Sequence, residues 1–440
     1  MTTEIAIMNK SAVALAADSA VTITVRGPEG KNYKVLNTAN KLFALSKYAP
    51  VGLMVYGNAS LQGIPWESIV KIYRKTLADT EFPSLEGYCK NFFDFLDNFE
   101  VGEQLEEQYV AQHAMGLFQG LRNELDEWVK VETCACKPIT EKQLCDQLRK
   151  QVKIRYDKFI KIGKGSVLSQ SKRISLKKKY QKLITDISSN VFEKIPLTPQ
   201  VHSQLRTIAI NAASVGPKNQ SGIVIAGFGS KDLYPHCRNY DVAAVFAGRT
   251  IKREGQQHQS ITPHNSASII PFAQSDEVHT FMQGIGPVLL KFLSKTFYEI
   301  MASGLPAKLR DEIGNKIGLS DDKKNDVHKI AKDMCKGACD YAFQQLKQQQ
   351  QNNYIQPVVT ATEFLNKGEL AAMAETLVNL VSFRKQVTME TETVGGPIDV
   401  AVITKGDGFV WIKRKLYFKP ELNHHFFSNY HRKDIKHEIK

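Results

Sequence analysis

In the first sixty residues apolar side chains recur at every second position. Ile5 and Ile7, then Val13, Leu15 and Ala17, share one parity, and Val21-Thr-Ile-Thr-Val is rich in β-branched residues, so this stretch predicts strands. Arg26-Gly-Pro-Glu-Gly-Lys supplies turn chemistry. A second pair, Lys41-Leu-Phe-Ala-Leu and Val51-Gly-Leu-Met-Val-Tyr, flanks a loop at Lys47-Tyr-Ala-Pro, giving a start of four strands. From about Pro65 to Arg206 the apolar period lengthens to three and four, as in Trp66, Ile69, Ile72 and Tyr73 or Leu105, Tyr109, His113, Leu117 and Leu121, which predicts a helical insertion. Within it Thr198-Pro199 is an N-cap and first-turn pair for a helix running through Leu205 to Ala213.

Strands return at Ser221-Gly-Ile-Val-Ile-Ala-Gly-Phe-Gly, at Leu233 to His236 and at Val242-Ala-Ala-Val-Phe-Ala, before a polar loop from Glu254 to Asn265. Ser275-Asp-Glu has the form of a capped helix start, and helical patterning continues to Gln349 with breaks near Gly304-Leu-Pro and Gly318. The polar tract from Gln348 to Asn353 reads as a loop. Thr360 and Glu363 have the spacing of a capping box ahead of a helix from Gly368 to about Gln386. Two last strands, Ile398 to Thr404 and Phe409 to Ile412, are joined by Lys405-Gly-Asp-Gly, whose Asp-Gly pair signals a hairpin, and the tail from Lys419 reads as basic and irregular. The resulting segments are 1–64, first β-pairs; 65–206, helical insertion; 207–300, middle strands and a helix; 301–365, second helical insertion and loop; 366–418, last helix and hairpin; and 419–440, tail.

A chain of 440 residues that is 42% hydrophobic buries a substantial core. No apolar run approaches the ~18 residues that cross a bilayer, and the first apolar stretch, Ile5 to Ala17, is broken by Asn9, Lys10 and Ser11, so neither membrane insertion nor a signal peptide is expected. Seven cysteines without a regular framework point to a reduced, cytoplasmic protein. Neither Cys134, Cys136 and Cys145 nor Cys335 and Cys339 has the second close pair that a structural zinc site uses, and His424-His425 has no partner motif, so no metal is expected; no phosphate loop is present and no cofactor is expected. The net charge of +13 is concentrated: between Arg149 and Lys182 stand thirteen Lys or Arg residues and one acid, Asp157. Such a block suits a nucleic acid or an anionic membrane surface, but solvated helix faces are commonly this basic and no nucleic-acid motif accompanies it. Contact with another subunit or with a separate ATPase is an equal alternative.

The order β-pairs, helices, β-pairs, helices, β-hairpin resembles that of the N-terminal-nucleophile hydrolases, and the opening Thr2-Thr3-Glu-Ile-Ala-Ile with Ala16-Ala17-Asp18-Ser19 is similar to the start of a mature proteasome β-subunit, where an Ala-Asp-Ser type turn follows the nucleophile by sixteen residues, the separation of Thr2 and Asp18. Asn40-Lys41-Leu-Phe, Tyr56-Gly57-Asn58-Ala59 and Thr393-Val-Gly-Gly-Pro-Ile-Asp-Val resemble further segments of that family, and a Thr at position 2, exposed by removal of Met1 alone, resembles its simpler bacterial members HslV and Anbu. The resemblance implies an α+β fold, a four-layer αββα sandwich carrying large α-helical insertions. It implies a threonine peptidase or amidase: Thr2, exposed once Met1 is removed, attacks a carbonyl while its own α-amine takes the proton. Such an amine has an ordinary pKa of about 7.7–8.0 and accepts a proton near neutrality.

By resemblance Lys41 and Asp18 support that amine, with Lys34, thirty-two residues after Thr2, as the alternative lysine. The Gly57 N–H takes the oxyanion position. Ser275 matches the family's Ser ahead of the third helix and fits equally as a helix N-cap. The family's Asp and Ser near the last hairpin are replaced by Thr391 and Val394, so those hydrogen bonds are missing or fall to a group such as Glu392. The implied partners are a peptide or protein substrate, further copies of the chain in a ring or dimer, and a separate ATPase if folded proteins are cut. The alternative is a non-catalytic assembly protein that holds a partner through the basic helices around Lys177, Lys178 and Lys179.

Overall fold

The computed structural model describes residues 3–27, 30–134, 139–193, 195–216, 221–388 and 395–431. Thr2, Cys136, Thr391, Glu392, Thr393, Val394 and the end of the tail lie outside them. In chain order the strands are β1 (Thr3–Asn9), β2 (Ala12–Ala17), β3 (Val21–Gly27), β4 (Gly30–Leu36), β5 (Leu42–Ala44), β6 (Val51–Gly57), β7 (Ser60–Leu61), β8 (Ile64–Pro65), β9 (Ser221–Gly227), β10 (His236–Phe246), β11 (Arg249–Glu254), β12 (Gln259–Ser260), β13 (Ala267–Ala273), β14 (Asp399–Thr404) and β15 (Gly408–Lys413). The helices are α1 (Trp66–Leu77), α2 (Leu85–Asp97), α3 (Glu103–Cys134), α4 (Glu141–Gly163), α5 (Gln170–Lys179), α6 (Gln181–Val191) and α7 (Pro199–Ala213). They continue with α8 (Asp276–Gln283), α9 (Pro287–Glu299), α10 (Leu305–Ile317), α11 (Asp321–Gln350), α12 (Gln356–Phe364), α13 (Lys367–Val387) and α14 (His424–His431). The fold is therefore mixed α and β with antiparallel sheets, and no described helix is long and apolar enough to cross a membrane. The chain divides into two compact units, Met1–Leu42 with Gln259–Lys440, and Phe43–His258.

The first unit is built on an antiparallel sheet in the order β13-β1-β2-β14-β15. Alternation along its strands puts Ile5, Ile7, Ala14, Ala16, Val400 and Val402 on one face, packed with Leu370, Ala374, Leu377, Val378 and Val381 of α13 and Val278 of α8. Each fully buried Ile, Leu or Val contributes roughly 1.5–3 kcal/mol. The other parity, with Ala6, Met8, Val13 and Leu15, is equally withdrawn from solvent. Asn9 closes the β1–β2 turn: its side-chain Oδ1 accepts the N–H of Ser11 at 3.0 Å and of Ala12 at 3.2 Å, and its Nδ2 donates to Leu365 O at 2.9 Å.

Several elements of this unit depart from the sequence pattern. The Gln-rich tract is helical, with α11 running to Gln350 and a π-turn over Gln351–Ile355 leading into α12, because Gln is a good helix former when no Gly or Pro intervenes. Thr360 lies inside α12, so it caps nothing; the capping box is Asn366 with Glu369, whose side chains each accept the other's backbone N–H, at 3.0 and 2.9 Å. Ser275 precedes α8, but its side chain makes no capping hydrogen bond. Strand β13 was hidden by Pro271, which reads against a strand, and β4 by its polar Gly-Lys-Asn-Tyr-Lys composition. Within the tail, His424–His431 is helical rather than irregular.

The second unit carries the sheet order β11-β10-β9-β6-β5. Helices α1 and α2 cover it through Trp66, Tyr73, Tyr88 and Phe92, while α3 to α7 build a further apolar cluster that includes Ala244, Phe246 and Ile251 of the sheet. Thr198 caps α7 as predicted, accepting the Val201 N–H. Leu233 to His236 is not a strand of its own; a continuous β10 begins at His236, with a bulge near Val242 and Ala244 that breaks the alternation. The predicted polar loop begins after an unforeseen hairpin to β11, turned by Ala247 and Gly248 at φ 55° and 73°.

Candidate active site

The first unit brings Asp18 and Lys41 together. Asp18 follows the last residue of β2, and Ala17 lies opposite both Glu4 and Asp399 in the sheet. Lys41 stands directly before β5 and is 3% exposed, deep burial for an ammonium that requires a counter-charge. Its Nζ lies 2.5 Å from Asp18 Oδ1. The same oxygen accepts the Thr3 N–H at 3.0 Å, and Oδ2 accepts the N–H groups of Ala20 at 3.2 Å and Gly395 at 3.1 Å. Both carboxylate oxygens are thus occupied by donors from β1, the turn after β2, the segment before β5 and the segment before β14. Asp18 is the point at which these chain segments meet.

The segment that supplies Gly395 is fixed by further bonds. Ser19 N–H donates to Gly395 O at 3.2 Å and Ser19 Oγ to Pro397 O. Gly396 has φ 76°, and a Cβ there would stand 2.7 Å from the Asn37 Cβ, so the Gly-Gly pair seen in the sequence answers a backbone need. Asp399, the acid that follows, is engaged by Lys415, which donates both its N–H, at 2.8 Å, and its ammonium.

Glu4 is a site residue that the sequence reasoning passed over. Its side chain is fully buried and its Oε1 lies 3.5 Å from Lys41 Nζ, so two carboxylates face one ammonium. The signal was present as an acid in the middle of an apolar strand, Thr-Glu-Ile-Ala-Ile-Met. Thr3 Oγ1 is also buried and has no hydrogen-bond partner among the described residues. Opposite Thr3 in the sheet is Ala273 at φ 59°, a left-handed conformation unusual for alanine that costs about 1–3 kcal/mol and is held two residues before Ser275.

Lys34 is placed elsewhere: it is exposed on β4, paired with Ile23. Gly57 ends β6 in the second unit at φ 77°, opposite Ser221. Ser221 Oγ donates to Asn58 O at 2.9 Å and accepts the Trp66 indole N–H at 2.8 Å, which fixes the backbone just beyond Gly57. That backbone borders a cavity of about 440 Å³ lined by Asn58, Ser60, Gln62, Gln108, Gln112 and His113. Thr2, the expected nucleophile, and Thr391, Glu392 and Val394 lie outside the described residues.

A comparison with known protein families and a search of curated proteins found no match to this chain. The chemistry available at Asp18 and Lys41 is therefore argued from its own geometry. A buried ammonium held between two carboxylates is a fixed, preorganised hydrogen-bond donor whose orientation is set by Asp18.

Proposed function

We propose that this chain is an N-terminal-nucleophile hydrolase of the proteasome β-subunit type, cutting peptide or amide bonds through Thr2 after removal of Met1. One observation carries the proposal: a single oxygen, Asp18 Oδ1, binds both Lys41 Nζ and the backbone N–H of Thr3, the residue joined to Thr2 by one peptide bond. In this proposal Thr2, the residue before Thr3, works with that lysine.

In this account the Thr2 α-amine takes the proton of its own hydroxyl, the hydroxyl oxygen attacks the substrate carbonyl, and the amine returns the proton to the leaving nitrogen. The resulting ester is hydrolysed by water, with the amine again holding the proton in transit. Lys41 disfavours the ammonium form of Thr2 and stabilises the developing alkoxide, and Asp18 orients Lys41. An oxyanion role for Gly57, which ends β6 in the second unit, is what the family resemblance implies. The αββα sandwich, self-assembly and supply of unfolded substrate by a separate ATPase belong to the same proposal.

The test is intact-protein mass spectrometry before and after a β-lactone or epoxyketone probe. Loss of Met1 and a single adduct that Thr2→Ala removes are expected. A free Thr2 that forms no adduct would instead favour the non-catalytic alternative.

A further inference from the structure

The basic segment 149–182 is not uniform. Lys153, Arg155 and Lys179 are each neutralised, by Asp157, Glu124 and Glu103. Lys164, Arg173 and Lys177, with Arg206 of α7, form no ion pair among the described residues. Lys164, Arg173 and Lys177 line a cavity of about 280 Å³ between α4, α5 and α7, whose walls also include Ile160, Ile174 and Asn211 and contain no acidic side chain.

The cavity has a built interior. Arg173 Nη1 donates to Asn211 Oδ1 at 2.9 Å, while its Nε is shielded from solvent with no hydrogen-bond partner. A Cβ on Gly163 would come within 2.3 Å of that guanidinium and 2.9 Å of Asn211, so the glycine leaves space for the arginine against α4. Lys177 Nζ donates to Thr207 Oγ1 at 2.8 Å and Ser203 Oγ at 3.2 Å, which aims it without neutralising it. Arg206 Nε is likewise shielded and unpartnered. Burial, and then the charge of Arg206, push the Lys177 pKa down, as expected for cations gathered without a counter-ion. Leaving the shielded Nε of the cavity-lining Arg173 unpaired costs free energy that a bound anion would recover.

We infer that this cavity is a binding site for a phosphoryl dianion, held by the fork of Arg173 and the point charges of Lys177 and Lys164, with Ile160 and Ile174 offering contact to the organic part of a small phosphate ester. Arg supplies planar, directional donors to phosphate and Lys a mobile charge, and the two together suit a compact dianion. This site is independent of the chemistry proposed for Thr2.

The experiment is calorimetric titration of the full chain with inorganic phosphate and with phenyl phosphate, at constant ionic strength set by chloride, alongside melting curves. One saturable site and a phosphate-specific rise in melting temperature are expected. Tighter binding of phenyl phosphate assigns an organic ester, and equal binding assigns free phosphate. Arg173→Gln and Lys177→Met should each weaken binding at least tenfold, and Lys177→Met without phosphate should melt no lower than the wild type, because it removes a cation from a repulsive group. Heat and melting shifts that match chloride alone, variants that bind as the wild type does, or binding of a single-stranded oligonucleotide but of neither phosphate, would each overturn the inference.

Discussion

Asp18 Oδ1 lies 2.5 Å from the ammonium of Lys41 and 3.0 Å from the backbone nitrogen of Thr3. One oxygen therefore couples a buried charge to the first residue of the opening strand, and a change at Asp18 reaches both the stability of the first unit and the chemistry proposed at its start.

Asp18→Asn keeps the shape of the side chain and removes its charge, leaving Glu4 as the carboxylate paired with Lys41 among the described residues. Breaking one side of a buried pair costs roughly 3–5 kcal/mol, so urea unfolding should show a loss of that order. Labelling of Thr2 should fall with it. An unchanged urea midpoint would show that the pair is not buried in solution.

Glu4 and Lys41 should be energetically coupled. Lys41→Met removes the ammonium that both carboxylates face, and adding Glu4→Gln should then recover part of the loss. A double-mutant cycle read by urea unfolding is expected to give an interaction of about 0.5–3 kcal/mol, and additivity would remove Glu4 from the site.

Asp18 and Lys41 were singled out only through the resemblance of Ala16-Ala17-Asp18-Ser19 and Asn40-Lys41-Leu-Phe to a known family, and the structure brings the two side chains together. Glu4 was not singled out, because an inward-facing acid within a strand looks like an error in the pattern until its partner is known. The same limit applies to the fold. Strongly periodic elements such as α7, α13 and the β14–β15 hairpin were visible, whereas β11 and β13 are strands made by pairing, with Arg, Lys and Pro at positions that local preference reads against. The Gln-rich tract failed in the opposite direction, since polarity was taken for a loop where only Gly or Pro would have ended the helix.

Two glycines should respond to alanine with opposite signs. Gly396→Ala meets both a left-handed φ of 76° and the Asn37 Cβ at 2.7 Å, and a loss of about 1 kcal/mol or more is expected. Gly337→Ala, in the interior of α11 with no heavy atom within 4 Å of the new Cβ, should gain roughly 0.5–1 kcal/mol. Melting temperatures of the two variants check both.

Stability should decline in mild acid. Burial pushes His113, His202 and His236 below the ordinary value of 6.5, with the charge of Arg206 adding to the effect at His202 and the Asp232 carboxylate partly opposing it at His236. Their neutral forms are favoured in the folded chain, so the unfolded chain takes up protons first as pH falls. The stabilisation is fully present above about 6.5 and is lost as pH drops toward the depressed folded values. The urea midpoint should be flat from pH 8 to 7 and decrease below 6.5, and His113→Gln should make that decrease shallower.

The central claim is that Thr2 is a nucleophile held beside Lys41 and Asp18, and intact mass after exposure to a β-lactone tests it most directly. The expected result is a chain lacking Met1 that gains one adduct, with the adduct absent from Thr2→Ala and strongly reduced in Lys41→Met. A chain that keeps Met1, or one with a free Thr2 that stays unmodified while folded, would contradict it.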